Sequence, residues 1–182
     1  MRALAHPAPP LADDVVRLRP WREADVPAVV AAFGDPLTHR FSWPFTSRYG
    51  EGDARRALAD QEHARMRGAE LAFALVEPEA QSELLGGASL YDVERRRGRA
   101  AVGYWLAPGA RGRGVATHAV ELLADWAFGT LAIERLRITC DPSNHGSRRV
   151  AERAGFSFEC VLPAHFPYKG ALRDTALYTR AR

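Results

Sequence analysis

The sequence predicts one α/β domain: a mixed sheet of about seven strands with about four helices on its faces. Three observations predict it. Apolar runs of period two alternate along the chain with runs of helical period. Three strand-like runs follow one another between residues 71 and 106 without an intervening helix. A strand then passes through a glycine-rich turn into the most regular helix of the chain. The 182 residues suit a single domain with a sizeable core, and 47% hydrophobic with 26% charged residues is a folded rather than a disordered composition.

Residues 1–13, rich in Ala and Pro, are expected as a disordered tail, leaving 14–182 as the domain. Val15 to Arg19 alternates as a short strand that Pro20 stops. Val26, Val29, Val30 and Phe33 fall at i, i+3, i+4, i+7 in a helix that Gly34-Asp35-Pro36 ends. Phe41 to Phe45 reads as an aromatic loop, and Glu51 to Arg67 as a helix led by Ser47 or Gly50 and closed by Gly68. Strands follow at Leu71–Val76, Leu84–Val93 and Ala100–Leu106, the last two joined by a hairpin tip at Glu94–Arg99. From Gly112 to Phe128 a helix carries Val115, Ala119, Leu122, Leu123 and Trp126 on one face, with Gly129 as its stop. Arg135–Cys140 is a strand; Asn144–Ala154 a short helix with Gly155 at C′; Phe156–Leu162 and Ala171–Thr179 are the last strands.

The net charge is +3, and every basic residue except Lys169 is arginine, a skew of the kind a GC-rich genome produces. Arginine abundance alone therefore does not mark a nucleic-acid binder. The N-terminus lacks the apolar stretch of a signal peptide. No apolar run approaches the roughly 18 residues of a membrane span. Cys140 and Cys160 are too few for a disulfide framework, so the expectation is a cytoplasmic protein without a membrane partner.

The sharpest local feature is Leu106-Ala-Pro-Gly-Ala-Arg111-Gly-Arg-Gly114-Val-Ala116. Small residues at 112, 114 and 116 let a ligand approach the backbone. The first N–H groups of the following helix are then unpaired at the positive end of its dipole, which makes a phosphate cradle. Arg111 and Arg113 could add charge-assisted contacts. A P-loop would need Lys and then Ser or Thr after Gly114, where Val115 and Ala116 stand. A dinucleotide fingerprint would need Gly or Ala at 117, which is Thr.

The pattern Arg111-x-x-Gly114-x-Ala116 resembles the acetyl-CoA motif, Q/R-x-x-G-x-G/A, of the GNAT N-acetyltransferases. Asp141-Pro-Ser-Asn144-His-Gly-Ser147 through Gly155-Phe156 resembles the second half of that family's core. The opening Arg17-Leu-Arg-Pro-Trp-Arg-Glu-Ala-Asp25 and the close Asp174-Thr-Ala-Leu-Tyr178 are similar to its RimJ/RimL-type branch. The resemblance implies a GNAT-like α/β fold whose central sheet is mixed and mostly antiparallel. It also implies direct acetyl transfer from acetyl-CoA, as co-substrate and without a metal, to a primary amine. That amine would belong to a ribosomal-protein or other N-terminus, or to a small molecule. A homodimer is among the assemblies it admits.

Carried over residue by residue, the resemblance assigns the pyrophosphate to the turn from Arg111 through Gly112, Arg113, Gly114 and Val115 to Ala116. The pantetheine arm goes to Trp105, Leu106 and Ala107, with a further contact from Asn144, which equally suits a helix N-cap. The Leu106 backbone N–H is the candidate oxyanion donor. Ser147 stands where relatives carry a serine near the CoA sulfur, as proton donor or as orienting group, or simply as a first-turn helix residue. No tyrosine occurs in that helix to serve as the acid. Relatives carry a glutamate on the fourth strand where this chain has Ala101. The base then comes from Asp92, Glu94, Glu159 or a water chain, unless the amine arrives neutral. Trp43, Phe45 and Tyr91 are candidates for the acceptor wall, while Tyr104 reads as sheet packing.

Two other classes stay open at this level: a catalytically weak acyl-CoA sensor, prompted by Ala101, and a ribosome- or RNA-associated module, prompted by Arg95, Arg96, Arg97 and Arg99. A solvated hairpin tip is the plainer account of those arginines. The pairs Cys140/His145 and Cys160/His165 mimic a zinc set but lack any Cys-x2-Cys, and no metal is expected.

Overall fold

The computed structural model describes residues 2–42, 47–80 and 83–182. Its strands are β1 (Arg17–Arg19), β2 (Leu71–Val76), β3 (Leu84–Glu94), β4 (Arg99–Leu106), β5 (Arg135–Cys140), β6 (Ser157–Tyr168) and β7 (Ala171–Ala181). They form one seven-stranded sheet in the order β1-β2-β3-β4-β5-β7-β6. Every neighbouring pair is antiparallel except β4 with β5. The helices are α1 (Val26–Phe33), α2 (Pro36–Ser42), α3 (Glu51–Met66), α4 (Val115–Thr130) and α5 (His145–Arg153).

Both faces of the sheet are covered, and alternation along the strands assigns each residue its side. Leu71, Phe73, Leu75, Leu90 and Val102 join Ala119, Leu123 and Ala127 of α4 in the larger core. On the other face Val26, Val29 and Phe33 of α1 and Ala54 of α3 pack over Ala74 and Leu84, with Trp21 and Trp105 against them. The positions 119, 123 and 127, spaced by four, explain why α4 buries a single stripe so completely.

Three expectations about elements need correction, and the N-terminal segment adds a finding: Leu4 is fully buried, its N–H donates to the Arg65 carbonyl at 3.1 Å, and Arg65 Nη1 donates back to the Leu4 carbonyl at 2.7 Å. Apolar Leu4 supplies burial that the Ala/Pro composition around it concealed. Asp35-Pro36 ends α1 but also starts α2, since Asp35 Oδ1 accepts the Thr38 N–H at 2.9 Å and Pro36 occupies the first turn. Helix α4 begins at Val115 rather than Gly112, because Gly112 and Gly114 both take positive φ (76° and 83°), and it runs through Gly129 to Thr130. Finally, β6 continues past Pro163 to Tyr168, which an edge strand permits because proline's missing N–H has no ladder partner to disappoint there.

Candidate active site

Parallel pairing between β4 and β5 covers only Arg99, Ala100 and Ala101 against Arg135, Leu136 and Arg137. Beyond that point the two strands part, and clefts open on either side of the gap. One cleft, of about 420 Å³, is lined by Tyr104, Trp105 and Leu106 of β4, by Gly112, Gly114, Val115, Ala116 and Thr117 of the turn and α4, and by Asn144, Gly146 and Ser147 of α5. The other, of about 500 Å³, is lined by Trp21, Phe33, Gln61, Ser89, Tyr91 and Gly103, with Cys140 at the end of β5, Asp141 just after it and Asp174 from β7. Tyr104, Trp105, Phe41 and Ser42 belong to both, so the clefts meet at the C-terminal end of β4.

The turn is built as its sequence requires. Gly114 is the residue before α4, at φ 83° and ψ −11°, a left-handed conformation that strains any other residue. The first-turn N–H groups of Val115, Ala116 and Thr117 lack intrahelical acceptors by helix geometry, and those three residues line the cleft. A side-chain carbon at Gly112 would meet nothing within 4 Å, so the space above the turn is open. That open cradle with aligned donors fits a pyrophosphate.

The two arginines of the turn each have a carboxylate partner. Arg111 Nη2 donates to Asp35 Oδ1 and, at 2.7 Å, to Thr38 Oγ1. The Arg111 guanidinium holds the Asp35 carboxyl down at about 2. Arg113 pairs with Glu77 at 2.7 Å. Both guanidinium groups are therefore engaged by carboxylates, and Arg149 and Arg153 of α5 line the same cleft as the turn's N–H groups. The Ala107 N–H donates to the Leu85 carbonyl at 2.9 Å, and Ala107 lines neither cleft. That same bond makes 105 and 103 the residues hydrogen-bonded to β3, so the Leu106 N–H points away from β3 toward the gap.

Asn144 caps α5, its Oδ1 accepting the Ser147 N–H at 3.1 Å, and it also lines the first cleft. Tyr104 is more than sheet packing. Its hydroxyl donates to the Ser147 carbonyl at 3.0 Å and lies 2.9 Å from Ser147 Oγ. Burial pushes the Tyr104 hydroxyl well above its ordinary value, so it stays a protonated donor. Cys140 neighbours the same Ser147 hydroxyl, and burial raises its thiol as well.

In the second cleft the indoles of Trp21 and Trp105 stack, centroids 6.2 Å apart, over Gly87. Tyr91 lines this cleft; Trp43 and Phe45 lie outside the described residues. The three carboxylates expected as bases line neither cleft: Asp92 pairs with Arg137, Glu94 with Arg97, and Glu159 with Arg135. The Arg95–Arg97 turn sits at the opposite end of the β3–β4 hairpin from both clefts. Among the described residues the cysteines and histidines named as a zinc set do not gather; the one grouping of ligand type is Asp13, Asp14 and His118.

Sequence reasoning missed α2 as a site element. Asp35 and Thr38 hold it to Arg111, and on its far side Lys169 Nζ donates to the His39 carbonyl at 2.9 Å. The helix thus ties the glycine turn to the β6–β7 hairpin, with Phe41 and Ser42 between the two clefts. The Asp-Pro start signal was legible; its long-range partners were not.

A phosphate cradle on one side of a parted sheet and a second cleft meeting it at β4 define an acyl-transferase architecture. Residues 16–157 match the family model described as an acetyltransferase (GNAT) domain, and the chain belongs to that family. Among its relatives, "Probable N-acetyltransferase YjcK" of Bacillus subtilis is 34% identical over 96 residues; the match covers 52% of this chain and 53%, about half, of that protein's length. The ribosomal-protein-serine acetyltransferase of Escherichia coli is 29% identical over 145 residues, 79% of this chain and 78% of its own. Among solved structures, Mycobacterium smegmatis RimJ in complex with CoA-disulfide superposes with a TM-score of 0.81 at 26% identity, covering 91% of this chain and 81% of that one.

Proposed function

We propose that this chain transfers an acetyl group from acetyl-CoA directly to the α-amino group of a protein N-terminus. The observation that carries the reading is the meeting of the two clefts at Tyr104 and Trp105, beside the open glycine cradle. The nature of the Escherichia coli relative, which acts on a ribosomal protein, supports the acceptor class. Two free cysteines accord with a reducing, cytoplasmic compartment. Among the described residues no helix is long and apolar enough to cross a membrane. A homodimer is part of the reading and is checked by light scattering.

Acetyl-CoA, when bound, supplies an acetyl group activated as a thioester. The backbone N–H groups of Gly114 to Thr117 bind the pyrophosphate, and the Leu106 N–H, free of β3, is the preorganised donor for negative charge on the reacting carbonyl. Ser147 lines the cleft with its hydroxyl held by Tyr104. A tyrosine ordinarily titrates near 10 and a thiol near 8.5, and burial raises the Tyr104 hydroxyl further. Full proton transfer from Tyr104 through Ser147 to a thiolate therefore runs uphill. The pair instead fixes the Ser147 hydroxyl at the wall of the cleft.

Thermal stabilisation by acetyl-CoA tests the first half of the reading, since a ligand bound only by the native state raises stability as RT ln(1 + [L]/Kd). Thiol release over a panel of N-terminal peptides, polyamines and aminoglycosides tests the second. Stabilisation without turnover on any amine would instead favour an acyl-CoA sensor.

A further inference from the structure

The acceptor amine binds mostly as an ammonium near neutral pH and must lose a proton before it can attack. The glutamate that the family resemblance places at position 101 is alanine here, and Asp92, Glu94 and Glu159 line neither cleft. Of the carboxylates that line the acceptor-side cleft, Asp141 is engaged by Ser143 and Arg173, and Asp174 accepts the Ala164 N–H at 2.9 Å. A further carboxylate, Glu70 just before β2, approaches the cleft through Ser89. Extending the β2–β3 register by one residue beyond Leu71↔Leu90 sets Glu70 opposite Tyr91, which in turn pairs with Ala101. Alternation puts Glu70, Ser89, Tyr91, Ala101 and Gly103 on one face of the sheet. The part-buried Glu70 carboxyl has the Ser89 hydroxyl as its hydrogen-bonding neighbour, and Ser89 lines the cleft.

Gly103 completes the arrangement. It pairs directly with Ser89, and a side-chain carbon there would lie 3.7 Å from Ser89 Oγ and 3.2 Å from the Tyr91 ring. The missing side chain lets the Tyr91 ring pack against the Gly103 backbone, beside the serine hydroxyl.

We propose that Ser89 and Glu70 form the proton-accepting pair for the acceptor amine. An N–H bond of the ammonium breaks as an O–H bond forms at Ser89 Oγ; the serine's own hydrogen passes to the Glu70 carboxylate. The ammonium and carboxylate become a neutral amine and a neutral acid, and Ser89 ends unchanged. Glu70, only part-buried, then returns its proton to water. Ser89 is the group that meets the amine, and Glu70 is the positioning residue behind it. The groups facing Glu70 are Ser89, Tyr91 and Asp92, the last paired with Arg137 at 2.6 Å. Burial raises the Glu70 carboxyl, with a smaller push from Asp92, which makes it a stronger base than an exposed glutamate.

This inference rests on the transferase reading, and the experiment separates the two. In the unliganded protein, carbon-13 titration of the Glu70 carboxyl in wild type and Ser89→Ala tests the contact; losing the hydroxyl donor shifts its midpoint upward. Glu70→Gln and Ser89→Ala then lower kcat/KM for an N-terminal peptide by about 10²-fold at neutral pH, the usual scale of general-base assistance. That deficit shrinks as pH rises through the amine's own pKa. It is absent for a fluorinated alkylamine already neutral at pH 7. The acetyl-CoA thermal shift is unchanged in both variants. An unmoved Glu70 titration, or an equal deficit at every pH and for both amines, overturns the proposal. Wild type that acetyl-CoA fails to stabilise overturns the transferase reading instead.

Discussion

Arg111 and Asp35 form an ion pair across 76 residues of sequence, the guanidinium Nη2 donating to Asp35 Oδ1 and also to Thr38 Oγ1. The pair fastens α2 to the glycine turn. The same arginine lines the cleft above the glycine turn.

The Arg111–Asp35 contact is part-buried, with side chains 30% and 20% exposed. Arg111→Ala and Asp35→Ala should each destabilise the fold, and the double variant should cost less than their sum by about 1 kcal/mol, the scale of a charged hydrogen bond discounted for solvent. Urea titrations of the four proteins measure the coupling; strict additivity would show the pair to be idle.

The pH dependence of that coupling has a definite sign. Arg111 lowers the Asp35 carboxyl to about 2 from an ordinary value near 3.9. The stabilisation is therefore complete above about pH 4 and is lost as pH falls through about 2. The stability difference between wild type and Asp35→Asn should stay flat from neutral pH to about 4 and shrink below it.

Gly114→Glu places a charged side chain on a residue with φ 83° at the mouth of the cradle. Acetyl-CoA should no longer raise the melting temperature of this variant, while its circular dichroism stays native. Retained stabilisation would move the pyrophosphate away from Gly114.

Tyr104→Phe removes only the hydroxyl that holds Ser147. Tyr104→Phe and Ser147→Ala are each expected to lower kcat about tenfold, as loss of a hydrogen bond to a charged atom does, with the KM for acetyl-CoA within about twofold. Because they remove one device, the double variant should be little worse than either. Multiplying effects would mean two separate roles.

Gly87→Ala inserts a carbon 2.7 Å from Trp105 Nε1 and 2.8 Å from Trp21 Cζ2, closer than real contacts allow. Overpacking of this kind costs about 1–3 kcal/mol. The variant should show altered tryptophan fluorescence and a lower kcat/KM for the peptide acceptor, with acetyl-CoA stabilisation retained. Loss of acetyl-CoA stabilisation would join the indole stack to the other cleft.

The amino-acid sequence by itself determined the element order and the glycine turn, because both are local. Apolar period sets strand against helix, and Gly112 and Gly114 supply the left-handed backbone wherever the chain places them. Tertiary structure alone decided what the charged and polar side chains do. That Arg111 meets Asp35 and Thr38 follows from the packing of α2 against the turn. Leu4 is buried because β2 and α3 leave room for it, which an Ala/Pro-rich neighbourhood cannot announce. Glu70 faces Ser89 through strand register, a relation between residues 19 positions apart that no local pattern encodes. Hydrogen bonds and ion pairs act over a few ångströms of space, so their partners are fixed by the fold and not by separation along the chain.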